Sequence, residues 1–141
     1  NYPGIVEKIN KKIKSRDFWM PFALSITDKE FKKYFYNNKN LDPFYMTTCY
    51  ELKKNIDLKE FQNVVHPADR TGRPQIVTLE NNYEYYNLLK AVKKSCGVGA
   101  ILNTSFNIHK KTIVETIDDA IDVFKSTNLD GIIINDYFIS K

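Results

Sequence analysis

Two arginines stand close together in the segment from Asp69 to Gln75, which reads Asp-Arg-Thr-Gly-Arg-Pro-Gln. An arginine can bind a phosphate through two parallel hydrogen bonds, and a hydroxyl, an amide and loop N–H groups can satisfy the remaining oxygens. The segment therefore predicts an anion site that uses Arg70, Thr71, Arg73 and Gln75. A solvated hairpin connection in which Asp69 pairs with one arginine explains the same residues, so both interpretations stay open.

Four polar side chains occur within five residues in the segment Asn103-Thr104-Ser105-Phe106-Asn107, directly after an apolar run. In open α/β sheets, ligands bind at the carboxyl ends of strands. The segment therefore predicts donors and acceptors for a ligand from Asn103, Thr104, Ser105 and Asn107. The alternative is a turn whose side chains bond their own backbone.

Lys14 and Arg16 place two cations where a first amphipathic helix gives way to a strand. Two neighbouring cations of this kind are candidates for binding an anion. Cations at the end of a helix also interact with its dipole, typically by about 0.3–1 kcal/mol, and need no ligand for this.

The elements around these residues alternate between helix and strand. Apolar spacing predicts helices at 5–14, at 28–35, between residues 82 and 97, and from 117, with a short helix within 51–63. Strands are predicted at 22–26, 44–49, 76–79, 98–102, 132–134 and 137–139. This alternation is typical of a layered α/β domain with a mixed sheet.

Local signals mark several helix ends. Thr27 precedes Glu30 by three residues and Thr116 precedes Asp119 by three, and each pair predicts a capping box at a helix start. Gly97 follows the long central helix and is placed to end it.

Composition narrows the class of protein. The chain has 141 residues, 43% of them hydrophobic, and its net charge of +4 comes from basic residues spread along the sequence. We therefore expect one globular domain in the cytoplasm, without a membrane segment and without a dedicated nucleic-acid surface. Cys49 and Cys96 are expected to be buried small apolar residues, and two Cys with two His are too few for a zinc site.

Together these segments resemble the C-terminal domain of the NodU/CmcH carbamoyltransferase family. The resemblance is carried by residues 10–23, by the 69–75 loop, and by Leu102-Asn103-Thr104-Ser105-Phe106-Asn107 with Ile113-Val114 and Asp119-Ala120 after it. It is collinear over nearly the whole chain. It implies a YrdC-like fold, an open twisted mixed sheet with helices packed on it, for residues 1–141.

The resemblance also implies an activity and partners. In such enzymes this domain uses carbamoyl phosphate and ATP, with Mg²⁺ accompanying the nucleotide, to make a carbamoyl adenylate. A larger N-terminal domain of the actin-like ATPase class holds the metal site and transfers the carbamoyl group to a hydroxyl of an acceptor. The chain is thus expected to be a fragment of a larger two-domain enzyme, with no metal site of its own and with a Gly-Pro-Arg-Ala-Leu-Gly segment before Asn1.

The resemblance places roles on particular residues. A K-x-R and S-x-N signature falls on Lys14, Arg16, Ser105 and Asn107, and a T-x-R-x-Q pattern falls on Thr71, Arg73 and Gln75. It implies catalytic cations at Lys14, Arg16 and Arg73, and ligand-binding groups at the other positions.

Two alternatives remain. One is a threonylcarbamoyl-adenylate synthase acting in tRNA modification, and the other is a non-catalytic RNA-binding module of the same fold.

Overall fold

A computed structural model describes residues 4–14, 22–41 and 43–141, and these form two compact units. The sheet unit is the described part of Pro21–Thr104. The hairpin unit is the described part of Asn1–Met20 together with Ser105–Lys141.

The sheet unit is built around a three-stranded sheet. Strand β1 (Ala23–Thr27) lies in the centre, parallel to β4 (Pro74–Val77) and antiparallel to β5 (Ala100–Asn103). The α/β class with a mixed sheet is therefore confirmed. The YrdC-like fold type stays a prediction.

Helices connect these strands at the ends that the sequence predicts. Helix α2 (Asp28–Tyr34) follows β1, short helix α3 (Leu58–Phe61) precedes β4, and α4 (Tyr83–Cys96) leads to β5. The Thr27 side chain accepts a hydrogen bond from the Glu30 N–H, which is half of the predicted capping box. Because the Glu30 carboxylate is bound by two lysines, the other half is replaced by ion pairs.

The predicted strand at 44–49 is wrong. Those residues form bends, and strand β2 comprises only Tyr50–Glu51, antiparallel to β3 (Thr71–Gly72). Met46 adopts φ 56°, in the left-handed region, which no extended strand contains. The β2–β3 pair brings the 66–71 loop against the core, where a Cβ on Gly72 would lie 2.8 Å from the Val64 carbonyl oxygen.

The core of the sheet unit joins β1, α2 and the β2–β3 pair. Its buried members are Leu24, Ile26, Phe31, Phe35, Tyr50, Leu52, Phe61, Val64 and Val65. The Phe31 ring packs edge-on against Tyr50 with 5.1 Å between centroids. This packing fixes the loops that follow β2 and precede β4.

The hairpin unit has three parts. Helix α1 (Ile5–Ile9) continues into a π-helical turn (Asn10–Lys14), α5 (Ile117–Ser126) begins with a complete capping box at Thr116 and Asp119, and β6 (Gly131–Ile134) pairs antiparallel with β7 (Tyr137–Ser140). Ala120, Phe124 and Ile132 form its small core.

The expectation that both cysteines are buried is wrong. Cys49 lies in the bend before β2 and Cys96 is the last residue of α4, and both are exposed. No helix in the described part of the chain is long and apolar enough to cross a membrane.

Glu30 is a buried carboxylate that is held by two lysines. Its side chain is 1% exposed, and Oε1 lies 2.8 Å from Lys33 Nζ and 2.7 Å from Lys93 Nζ. Burial by itself raises the pKa of Glu30, but the hydrogen bonds and charges of the two lysines outweigh it and put this pKa below its ordinary value of 4.5.

We expect Glu30→Gln to destabilise the fold by about 1.5–3 kcal/mol at neutral pH, because the buried negative charge that pairs with both lysine ammonium groups is removed. Since the folded pKa is depressed, the carboxylate stabilises the fold above pH 4.5 and loses this effect as the pH falls through the folded pKa. Urea unfolding of wild type and variant should therefore converge at low pH. Glu80→Gln, at an exposed position, is the control, and equal losses in both variants at every pH would contradict the role of Glu30.

Candidate functional site

Lys14 lies at the centre of a polar cluster in the hairpin unit. It is 4% exposed, and its Nζ lies 2.6 Å from the Ser105 carbonyl oxygen, 3.1 Å from Ser105 Oγ and 2.6 Å from Asn107 Oδ1. A buried ammonium of this kind is stable only when its donors are satisfied. The predicted residues Lys14, Ser105 and Asn107 are thus in direct contact.

The backbone fixes this cluster from both sides. The π-helical turn ends at Lys14, whose carbonyl accepts a hydrogen bond from the His109 N–H at 3.0 Å. Ser105 Oγ donates to Asn107 Oδ1 at 2.7 Å, and Asn107 Nδ2 donates to the Lys111 carbonyl at 2.7 Å. The local turn that the sequence allowed is therefore present, and Lys14 is bound to it.

The cluster can orient the two groups of the Ser-x-Asn turn. Because Asn107 Oδ1 accepts from both Lys14 and Ser105, the orientation of the Asn107 amide is determined by its partners. The Ser105 hydroxyl is aligned in the same way. Lys14 is more than the helix-end cation that its sequence position allowed, since its ammonium binds side-chain and backbone oxygens.

A second polar cluster lies on one face of the sheet in the sheet unit. Asn103 Nδ2 donates to Ser25 Oγ at 2.8 Å and to Gln75 Oε1 at 2.9 Å, and Ser25 Oγ donates to Gln75 Oε1 at 2.9 Å. Gln75 and Asn103 were predicted site residues, and the structure brings them together. Ser25, which is fully buried, was missed.

Strand register explains why these three side chains meet. Ser25 is the partner of Gln75 across the parallel pair, and Asn103 is the partner of Ala23, two residues from Ser25 on the same face. Because β5 is antiparallel to β1, its carboxyl end lies at the amino ends of β1 and β4. The signal that could have found Ser25 is a hydroxyl among the apolar residues of the predicted strand 22–26.

Thr71 and Arg73 line an open pocket of about 230 Å³ in the sheet unit, with Cys49, His66 and Asp69 on the same walls. Arg73 is exposed, and its guanidinium makes no hydrogen bond or ion pair with any residue in the described ranges. Its five donors are therefore available to an anion. We call this the arginine pocket.

Asp69 closes the loop beside the arginine pocket. Its Oδ1 accepts from the Thr71 N–H at 2.9 Å and the Thr71 hydroxyl at 2.8 Å, and lies 3.6 Å from His66 Nδ1. The Thr71 N–H, then the Thr71 hydroxyl, hold the pKa of Asp69 below its ordinary value. In the described part of the chain Asp69 thus binds threonine, and the predicted pairing with an arginine is not formed.

Arg70 holds the loop rather than facing the pocket. Its Nη2 donates to the carbonyls of Lys53 at 3.1 Å and Ile56 at 2.7 Å, and its backbone adopts φ 58°. We therefore assign Arg70 to the loop structure instead of the ligand contacts that its sequence position predicted.

The structure gives no contacts for two of the predicted site residues. Arg16 lies outside the described residues. Thr104 is half-buried and directly follows β5. In the described ranges no group of three or more His, Cys, Asp or Glu side chains could hold a metal ion.

The fold and these residues define an α/β domain that carries a buried lysine on a Ser-x-Asn turn and an open arginine pocket. More particularly, the chain belongs to the family described as Carbamoyltransferase C-terminus, whose model matches residues 1–141. The family predicted from the sequence is therefore confirmed.

Individual relatives align with nearly the whole of this chain. The chain is 38% identical over 135 residues to an uncharacterized protein of Methanocaldococcus jannaschii, covering 96% of this chain and 25% of that protein. It is 32% identical over 139 residues to the nodulation protein NolNO of Sinorhizobium fredii, covering 96% and 20% of the two chains. With the nodulation protein NolO of Bradyrhizobium diazoefficiens the identity is 30% over 139 residues, covering 96% and 24%. The chain spans a quarter or less of the length of these relatives.

Proposed function

We propose that this chain is the carbamoyl-activating domain of an O-carbamoyltransferase, which forms a carbamoyl adenylate from carbamoyl phosphate and ATP. One observation carries the proposal. In a chain of this family, Lys14 and the Ser105–Asn107 turn, separated by 91 residues or more, are in hydrogen-bond contact through a buried ammonium. These are positions to which the family resemblance gives roles in anion and nucleotide binding.

The proposed reaction has two steps. Water cleaves carbamoyl phosphate to carbamate and inorganic phosphate. A carbamate oxygen then attacks the α-phosphorus of ATP, an O–P bond forms, and the bond from that phosphorus to the bridging oxygen breaks, so that pyrophosphate leaves with the electron pair. Charge builds up on the α-phosphate and on the pyrophosphate, and fixed cations stabilise it. Mg²⁺ would bind the phosphate oxygens of ATP and neutralise part of this charge.

The arginine pocket is the proposed anion site of the sheet unit. A guanidinium without a partner among the described residues can bind a phosphate through two parallel hydrogen bonds. Gln75 belongs to the polar cluster on the sheet instead of the pocket wall. Its Oε1 accepts from Ser25 and Asn103, so its Nε2, which has no hydrogen-bond partner in the described part of the chain, can donate to a ligand at that cluster. Thr71 contributes to the shape of the pocket and is held by Asp69.

In the hairpin unit, Lys14 acts as a positioning residue. It holds Ser105 and Asn107 so that their remaining donor and acceptor capacity can be directed to a nucleotide or anion. Arg16, two residues after Lys14, is proposed as a further cation. In the sheet unit, Asn103 at the end of β5 and Thr104 after it are proposed as ligand contacts.

The proposed partner of this domain is a larger N-terminal domain of the actin-like ATPase class. It would bind the hydroxyl acceptor, hold the metal site and complete the transfer. The length of the relatives supports this, since the matched region is only 20–25% of each of the three described above. We propose that the enzyme works in the cytoplasm, where carbamoyl phosphate and ATP are available.

The exposed thiol of Cys49 provides a direct test of the arginine pocket. Cys49 lines that pocket with Arg73, whereas Cys96 is exposed at the end of α4. We expect carbamoyl phosphate to slow the reaction of Cys49 with a thiol reagent by about fivefold or more at saturation, because a bound ligand shields the pocket. The rate would be followed by absorbance in a Cys96→Ser variant.

Two variants control this measurement. Cys49→Ser leaves only Cys96, and its reaction rate should not change with carbamoyl phosphate. Adding Arg73→Gln to Cys96→Ser should remove the protection of Cys49. If both thiols are protected equally, or if protection persists without Arg73, the arginine pocket is not the anion site.

A further inference from the structure

A second cationic pocket lies at the other end of β1 from the arginine pocket. It has a volume of about 420 Å³, and its walls are Thr27, Lys29, Tyr86, Lys90, Lys93 and Lys94. We call it the lysine pocket. Thr27 is the last residue of β1, whereas the arginine pocket adjoins Phe22, just before the first residue of that strand. The two pockets are therefore separated by the length of the strand, about 13 Å or more.

Helix geometry places the lysines of this pocket close together. Lys90, Lys93 and Lys94 are spaced i, i+3 and i+4 on α4, which places them on one face, and Lys29 comes from α2. The sequence shows these lysines in two separate segments. The charge excess that seems to be spread along the chain is thus concentrated in the folded sheet unit.

Few carboxylates balance this charge. Glu30 is the carboxylate bound to the cluster, and its Oε1 is shared between Lys93 and Lys33. Lys29, Lys90 and Lys94 are exposed and make no hydrogen bond or ion pair with the described residues. Like charges that converge on one pocket repel each other, and a bound anion relieves this repulsion.

From this arrangement we infer that the lysine pocket binds an oligophosphate, a chain of three or more linked phosphates. Lysine binds phosphate as a compact charge with three donors and does not need the planar geometry that arginine imposes. Four ammonium groups around one pocket, of which only Lys93 is paired with a carboxylate among the described residues, exceed the charge of a single phosphate, which is about −2, and suit a chain of linked phosphates. The pocket volume lies within the range of small-ligand sites.

The pocket walls favour a small oligophosphate over a nucleic-acid backbone. Tyr86 is half-buried beside the lysines, and the Thr27 hydroxyl accepts from the Glu30 N–H, so that its proton can be donated to a phosphate oxygen. The charges converge on one concave volume instead of following a groove. The inference is independent of the proposed carbamoyl activation, because it uses none of the residues assigned to it.

Titration of the chain with inorganic tripolyphosphate, followed by calorimetry, tests the inference. We expect the double variant Lys90→Gln/Lys94→Gln to bind tripolyphosphate at least about tenfold more weakly than wild type, because two of the four charges are lost. The matched control is Lys39→Gln/Lys54→Gln, which removes the same charge from exposed positions outside the pocket and should change the affinity less than about twofold. Thermal unfolding of all variants verifies folding.

Further arms separate the possible sources of the phosphate chain. ATP should compete with tripolyphosphate for this pocket in an Arg73→Gln background, and orthophosphate should bind much more weakly than either. Equal weakening in the two double variants would overturn the inference, since it would show that net charge alone matters. Loss of tripolyphosphate binding in Arg73→Gln, or single-stranded RNA that tripolyphosphate does not displace from wild type, would overturn it as well.

Discussion

Lys14→Met is expected to abolish carbamoyl-phosphate-dependent release of pyrophosphate from ATP and to destabilise the hairpin unit. Methionine has a similar length but no donors, so the Ser105 carbonyl, Ser105 Oγ and Asn107 Oδ1 would lose the ammonium that binds them. Leaving these neutral acceptors without their charged donor typically costs about 1–3 kcal/mol. The rate of pyrophosphate release should fall at least about a hundredfold, because the Ser-x-Asn turn loses its orientation.

The release assay would be run on the chain and on the two-domain protein proposed above, together with urea unfolding. Lys11→Met is a matched control on the same turn of backbone, since Lys11 is exposed and pairs only at the surface with Glu7 among the described residues. It should cost less than about 0.5 kcal/mol and leave pyrophosphate release unchanged. Wild-type release by Lys14→Met, at a temperature where that variant is folded, would contradict the positioning role.

Local structure could be predicted well because its causes are local. The side chains of Thr27 and Thr116 cap helices, as predicted, and Gly97 ends α4 in the left-handed conformation with φ 83°. Each signal lies within four residues of the element that it defines. The predicted strands 22–26, 98–102, 132–134 and 137–139 likewise match β1, β5, β6 and β7 to within two residues.

Predictions failed where a longer range of the chain decides the structure. The aromatic and β-branched residues of 44–49 predict a strand, but Met46 turns the backbone there. Cys49 is exposed because this bend places it on the wall of a pocket. Strand propensity depends on residue type and near neighbours, and neither determines the path of an irregular segment whose position depends on the rest of the fold.

The candidate site shows the same division. Residue chemistry picked out Arg73, Gln75 and Asn103, but the contact between Gln75 and Asn103 depends on Ser25 and on strand register, which no spacing in the sequence reveals. The family resemblance, not periodicity, connected Lys14 with Ser105 and Asn107 across 91 residues or more. Arg70 and Arg73 differ in role although they are three residues apart, because only the structure shows which carbonyls bind Arg70.

Arg73→Ala should reduce pyrophosphate release at least about a hundredfold without lowering the melting temperature. A single preorganised hydrogen-bond donor to transition-state charge contributes about 2.7–4 kcal/mol in an oxyanion hole, and a guanidinium aimed at phosphate is expected to contribute on that scale. Stability should not change, because the Arg73 guanidinium has no partner among the described residues and is exposed. Arg73→Lys keeps the charge but loses the planar pair of donors, so an intermediate rate is expected.

Arg70→Ala gives the opposite pattern and serves as the control. It removes the hydrogen bonds to the Lys53 and Ile56 carbonyls, so the melting temperature should fall, while pyrophosphate release by the folded fraction should be retained. Measuring both properties in both variants separates ligand binding from loop stability. If Arg73→Ala releases pyrophosphate at the wild-type rate, the anion binds elsewhere. If folded Arg70→Ala loses most of its pyrophosphate release, Arg70 contacts the ligand.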